Sequence, residues 1–130
     1  MPVCNGKSSV MEAIGSVLNQ SWTNWHLFVI DDFSDDGTFD YLKSEISDPR
    51  ITLLPSECKG TGGARNTAAA LISEEDYVAY LGPDKAWNRR YLELMLCRLV
   101  ETDSYCCYGA IKRFLREKVR EGTWLSLSSF

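Results

Sequence analysis

Apolar positions follow two patterns along this chain: short uninterrupted runs, and longer stretches with apolar residues three and four positions apart. The run at residues 25–30 is typical of a strand buried on both faces, and strands are also predicted at residues 50–54, 77–81 and 105–110. Residues 1–4 read as the end of an earlier strand, and helical stretches begin near residues 9, 38, 67 and 88. This alternation predicts an α/β domain in three layers, with a mostly parallel sheet between helices.

Local signals place the helix ends. Ser9 and Glu12 match a capping box, in which each side chain bonds a backbone N–H at the start of the helix. Asp48 and Pro49 end the second helix, because a residue before proline avoids helical geometry. Asn88 is expected to cap the last helix.

Composition excludes several classes of function. The chain has 130 residues, which suits one domain, and its formal charge of −4 argues against nucleic-acid binding. No apolar run approaches the roughly 20 residues of a membrane span. We expect a cytoplasmic protein with free thiols, because no secretory signal is recognisable and the five cysteines lack metal-site spacing. The one histidine, His26, is expected to be structural.

Acidic residues follow the strand at residues 25–30. Asp31 and Asp32 open a segment that contains two further acids and a glycine. Loops at the carboxyl ends of parallel strands are where open α/β sheets bind ligands, so a cation, an N–H or a hydroxyl could meet this pair. The alternative is a solvated turn in which Ser34 caps the next helix.

A glycine-rich segment at residues 59–66 precedes the alanine-rich helix. Its glycines would let backbone N–H groups approach an anion, and Arg65 could pair with a nucleotide or a carboxylate. A mobile connection is the alternative, because the spacing matches neither a Walker motif nor GxGxxG. Asp84 is a second acid at a strand end, and it could lie beside the Asp31 and Asp32 loop.

Five segments occur in the order that one enzyme family shows. They are Pro-Val-Cys-Asn at 2–5, Ser-Val-Leu-Asn-Gln-Ser at 16–21, the acidic segment at 31–38, the glycine segment at 60–66, and the run at 77–81 followed by Trp87. The chain thus resembles the N-terminal, nucleotide-sugar-binding part of family 2 glycosyltransferases of the GT-A fold. The resemblance covers residues 2–110 of a single domain, with residues 111–130 as a poorly defined tail.

The resemblance implies a role for several residues. Pro2 and Cys4 would line the pocket for the base, with Cys4 where the family usually has an aromatic ring. Asp32 would accept a hydrogen bond from the pyrimidine edge, and Asp31 would support it or the ribose. Arg65 would face the nucleotide. The implied donor is therefore a nucleotide-diphospho-sugar, with UDP as the expected nucleotide.

The resemblance also implies a metal. Asp84 would hold Mn²⁺ or Mg²⁺ against the diphosphate, and Lys85 would contact the phosphates. Asn5, in the first motif, is assigned to the nucleotide-sugar as well. The family motif Leu-Asp-x-Asp-Asp reads Leu-Gly-Pro-Asp-Lys here, at residues 81–85, so one acid of three remains.

Two other departures concern the ends of the family pattern. The central first strand is reduced to residues 1–4 at most, which would leave sheet edges without partners. The family's acceptor half, which carries the general base, lies beyond residue 110, and no residue here can be assigned as that base. We therefore expect a domain truncated at both ends.

The implied activity is inverting transfer of a sugar to an acceptor that is not identified, whether a glycan, a lipid-linked molecule or another compound. The alternative is a non-catalytic, degenerate or truncated nucleotide-sugar-binding module that needs a partner. A phospho-receiver domain fits poorly, because the acids follow the wrong strand. Self-association through an exposed sheet edge is a further expectation.

Overall fold

The computed structural model describes residues 1–73, 76–107 and 109. Its strands are β1 (Pro2–Val3), β2 (Leu27–Asp31) and β3 (Ile51–Pro55), which form a parallel sheet in the order β1-β2-β3. Its helices are α1 (Val10–Leu18), α2 (Thr38–Glu45), α3 (Thr61–Ala69) and α4 (Tyr91–Thr102). The α/β class with a parallel sheet is confirmed. Within these residues, no helix is both long and apolar enough to cross a bilayer.

The two faces of β2 are buried by different helices. Leu27 and Val29 belong to a core cluster that also contains Leu42 of α2 and the apolar face of α1. Ile30 points to the opposite face, because side chains alternate along a strand, and it is 1% exposed. Helix α3 packs against β1 and β2 and buries Ala64 outside the α1 cluster. Helices therefore cover both faces, as the uninterrupted apolar run predicted.

The motif at residues 16–21 joins α1 to the beginning of α4. Gln20 is 5% exposed, and its Nε2 donates to the carbonyls of Ser16 and Asn88 while its Oε1 accepts from the N–H of Leu92. Ser16 Oγ accepts from the N–H of Trp87 at 3.1 Å. Each polar side chain of this part of the family pattern bonds a protein group, which indicates a structural role.

Glu93, in the first turn of α4, makes a contact that we expect to be acid-sensitive. Its carboxylate accepts hydrogen bonds from Arg90 and from Ser21 Oγ, which lower its pKa from 4.5 to about 2. A lowered folded-state pKa means that the contact contributes fully above about pH 4.5 and is lost as the pH falls toward 2. We expect Glu93→Gln to flatten the pH dependence of thermal unfolding in this window. The same pH dependence in both proteins would exclude this contact as its source.

The strand predicted at residues 77–81 is wrong, since this segment has no regular structure. Tyr77, Val78 and Tyr80 are 50% or more exposed, whereas Leu81 is 5% exposed and belongs to the core cluster. The physical reason is β1, which spans two residues, one of them a proline without an N–H, and offers few groups for a ladder. The short first strand itself is confirmed.

Other predicted boundaries also need correction. No side-chain hydrogen bond caps α1, so the capping box is wrong; Ser9 Oγ donates to the carbonyl of Gly6 instead. Helix α4 begins at Tyr91 after Arg90, and Asn88 Oδ1 accepts from the N–H of Arg90 before the helix begins. Of the strand predicted at 105–110, the described residues form no strand, and the others, with the tail at 111–130, lie outside the described residues.

Candidate functional site

A cavity of about 230 Å³ lies at the carboxyl ends of β1 and β2. Parallel strands end at the same edge of a sheet, so the residues that follow β1 and β2 meet there. The cavity is lined by Pro2, Val3, Cys4, Asp32, Thr61, Arg65, Gly82 and Pro83. The structure thus brings together four of the predicted nucleotide-binding residues, namely Pro2, Cys4, Asp32 and Arg65.

Asp32 connects the sheet to α3. It is 7% exposed, and its backbone N–H donates to the carbonyl of Val3 at 2.7 Å. Its Oδ1 accepts a 2.7 Å hydrogen bond from the N–H of Gly60, which has a φ of +99° that favours glycine. The anion approached by the glycine segment is therefore a carboxylate of the protein itself, and the segment is an ordered connection.

Helix α3 begins at Thr61, earlier than predicted, and includes two glycines. A Cβ on Gly63 would overlap the carbonyl oxygen of Cys58, so glycine lets the helix pack closely against that loop. Thr61 and Arg65 are one helical turn apart and both line the cavity. Thr61 was not predicted as a site residue, because the helix was expected to begin near residue 67. A helix that begins at Thr61 places this residue one turn before Arg65.

Asp31 lies outside the cavity lining and is buried, with 6% exposure. Its Oδ2 accepts from the N–H of Ser34 at 3.1 Å, while its Oδ1 is buried without a hydrogen-bond partner among the described residues. A buried carboxylate oxygen without a partner is costly, and a ligand hydroxyl or a water would satisfy it. The ribose role predicted for Asp31 stays a prediction.

Asn5 holds the acidic loop rather than lining the cavity. Its N–H donates to Ser34 Oγ at 2.9 Å, and its Oδ1 accepts from the N–H of Asp35 at 2.9 Å. Ser34 therefore does not cap α2; Asp36 accepts from both the N–H and the hydroxyl of Thr38 at the start of that helix. The assignment of Asn5 to the nucleotide-sugar stays a prediction.

Arg65 presents its guanidinium without a carboxylate partner among the described residues. Its Cζ lies 5.0 Å from the centroid of the Tyr80 ring. Asp32 and Arg65 thus give the same cavity one hydrogen-bond acceptor and one cationic donor. Val3 and Cys4 add a largely apolar wall.

Asp84 and Lys85 follow the cavity residues Gly82 and Pro83, but their own side chains are not part of the lining. They form an ion pair with each other, and both side chains are more than half exposed. The hydrogen bond from Lys85 lowers the pKa of Asp84 below its usual value of 3.8. Within residues 1–73, 76–107 and 109, no three His, Cys, Asp or Glu side chains are grouped as a metal site. Asp84 alone fits a metal only if most other ligands come from phosphates and water.

Comparison with known proteins identifies relatives. The model of the family described as Glycosyl transferase family 2 matches residues 1–126. The chain is 40% identical over 111 residues to the UDP-Glc:alpha-D-GlcNAc-diphosphoundecaprenol beta-1,3-glucosyltransferase WfgD of Escherichia coli, covering 84% of this chain and 43% of that protein. It is 36% identical over 84 residues to WfaP of Escherichia coli, whose name gives the same activity, covering 64% of this chain and 33% of that protein.

The fold is similar to that of S. aureus TarS 1-349, crystallised in complex with UDP. The TM-score is 0.67 at 22% identity, and the match covers 77% of this chain and 30% of the TarS chain. The chain therefore spans less than half the length of these relatives. The family match covers nearly all of the sequence and confirms the resemblance of the motifs, and the chain belongs to glycosyl transferase family 2.

Proposed function

We propose that residues 1–130 form a single nucleotide-sugar-binding domain of an inverting glycosyltransferase with a UDP-sugar as donor. The observation that carries the proposal is the cavity in which Asp32 and Arg65 lie together. A pyrimidine edge presents an N–H beside carbonyl oxygens, so an acceptor next to a cationic donor is complementary to it. The UDP-Glc in the names of WfgD and WfaP supports uridine as the nucleoside.

Each cavity residue has a part in this proposal. Pro2 and Cys4 form the wall along the base, and the small Cys4 leaves room that an aromatic ring would fill. Asp32 accepts from the base with the carboxylate oxygen that Gly60 does not use, while Arg65 donates to the nucleotide. Asp31 offers its unpartnered Oδ1 to the ribose.

The proposed metal ligand is Asp84, which would bind Mn²⁺ or Mg²⁺ shared with the diphosphate. Such an ion neutralises charge on the departing diphosphate when it is bound. Asp84 is exposed, and a surface ion pair such as that with Lys85 contributes little, so its carboxylate can exchange partners at small cost. Lys85 would then contact the phosphates.

Calorimetric titration of UDP into the 130-residue chain, with and without Mn²⁺, tests this proposal. We expect Mn²⁺ to tighten binding about tenfold, or ~1.4 kcal/mol, and Asp84→Asn to remove that gain while leaving metal-free binding unchanged. Lys85→Gln is the matched variant: it should weaken metal-free binding and keep the gain from Mn²⁺.

Two results would contradict the proposal at different points. No UDP binding by a chain with a cooperative thermal transition would exclude the donor site. A full Mn²⁺ effect in Asp84→Asn would exclude Asp84 as the ligand and leave the base pocket in place.

A second candidate is a module that binds the nucleotide-sugar without turning it over. It is favoured by the ion pair of Lys85 with Asp84, which is the acid retained from the metal motif. Transfer would require displacement at the anomeric carbon, with a base that removes the acceptor's proton. Release of UDP from a UDP-sugar in the presence of candidate glycan and lipid-linked acceptors separates the two.

We also propose a cytoplasmic location, which the five free cysteines support, and self-association along the β1 edge.

A further inference from the structure

Within the described residues, the Arg65 guanidinium contacts an aromatic ring, and its charge helps to lower the pKa of the Met1 ammonium. Its Cζ lies 5.0 Å from the Tyr80 ring centroid, within the distance at which a ring face attracts a cation. Hydrogen bonds and ion pairs to the guanidinium are absent in this part of the chain. The Tyr80 ring is therefore a contact partner of a cation that lines the cavity.

Neither core packing nor a strand accounts for the position of the Tyr80 side chain. Its side chain is 62% exposed, and the segment that holds it forms no strand. Its neighbour Leu81 is buried in the core and anchors the segment there. Tyr77 in the same segment has nearly the same exposure, 64%, but contacts no cation in the described structure. The contact between Tyr80 and Arg65 is therefore not a general property of aromatic residues in this segment.

We propose that Tyr80 is a positioning residue for nucleotide binding, which holds the Arg65 guanidinium toward the cavity. This inference rests on the proposed function. A free arginine loses rotamer freedom when a ligand immobilises it, and that loss weakens binding. A ring that already restricts Arg65 removes part of this loss before the nucleotide arrives.

The test is calorimetric titration of UDP into the full 130-residue chain. We expect Tyr80→Leu to weaken binding about three- to fivefold, the range of an exposed cation–π contact. Tyr80→Phe should bind as the unchanged chain does, because it keeps the ring face. Tyr77→Leu is the matched control and should have no effect.

Two further variants separate positioning from a general structural role. Tyr80→pentafluorophenylalanine keeps the size of the ring but reverses the charge distribution on its face, so it should weaken binding as Tyr80→Leu does. In an Arg65→Gln background, Tyr80→Leu should have no additional effect.

Failure of this inference and failure of the proposed function give different results. Equal weakening by Tyr80→Leu with and without Arg65 would overturn the positioning role, as would unchanged binding in the pentafluorophenylalanine variant. Absence of UDP binding by the folded, unchanged chain would overturn both the proposed function and this inference. UDP binding that is indifferent to Tyr80 would overturn the inference alone.

Discussion

Replacing Asp32 with alanine should abolish detectable UDP binding and lower the free energy of unfolding by about 1–3 kcal/mol. The carboxylate has one observed structural role and one proposed role in binding. Its Oδ1 accepts from the N–H of Gly60 and connects β2 to α3, and its second oxygen is the proposed acceptor for the base. Alanine removes both, and it leaves the N–H of Gly60 without its partner. Calorimetry and urea unfolding measure the two effects separately.

Asp32→Asn separates these two functions. The amide oxygen can still accept from Gly60, so we expect stability close to that of the unchanged chain. The amide nitrogen then takes the position of the second oxygen and meets the N–H of the base, donor against donor. We expect a loss of about 100-fold or more in UDP affinity, or ~2.8 kcal/mol.

Asp35→Asn is the matched control for Asp32→Asn. It removes the same charge from the same loop, but Asp35 is exposed and its side chain lies outside the cavity. Its UDP affinity should stay within about twofold of the unchanged value, as expected for a screened surface charge. Equal affinity losses in the two variants would show that the loop's charge matters and that Asp32 makes no specific contact with the base.

The sequence predicts those residues of the candidate site whose positions depend only on where the strands end. Asp32 follows a strand whose apolar run is uninterrupted, and the parallel sheet places that end beside Cys4. The bond between Asp32 and Gly60 could not be predicted, because it joins residues 28 positions apart through a loop geometry that no periodicity encodes. The same limit applies to Asp31, whose Oδ2 accepts from the N–H of Ser34 in the turn that Asn5 contacts.

The misplaced elements have a common physical reason. Residues 77–81 have the composition of a strand, but a strand needs a neighbour, and β1 offers two residues as a partner. Helix α3 includes glycines that intrinsic propensity assigns to a loop, and the close approach of Gly63 to Cys58 compensates for that propensity. In both places the tertiary partner, and not the local sequence, decides the structure.

Gln20→Leu should be strongly destabilising, although Gln20 lies outside the site. Gln20 is 5% exposed, and its amide makes three hydrogen bonds, to Ser16, Asn88 and Leu92. Leucine removes the partners of the Ser16 carbonyl and the Leu92 N–H where α4 joins α1, while the Asn88 carbonyl keeps the N–H of Tyr91. We expect a loss of about 2–4 kcal/mol in urea unfolding. Asn19→Ala, which removes an exposed side-chain bond to Gly15, should change stability by less than about 0.5 kcal/mol.

Gln20→Glu tests whether the hydrogen bonds of Gln20, and not only the packing of its side chain, join α1 to α4. The introduced carboxylate keeps an oxygen for the N–H of Leu92, but its second oxygen faces the carbonyls of Ser16 and Asn88, acceptor against acceptor. This environment favours the protonated form, so the pKa of the introduced carboxyl group should be higher in the folded variant than in the unfolded one. The deficit in unfolding free energy relative to the unchanged chain should therefore shrink as the pH falls through that raised pKa. A deficit independent of pH would mean that the side chain has turned to solvent and that packing, rather than these hydrogen bonds, joins α1 to α4.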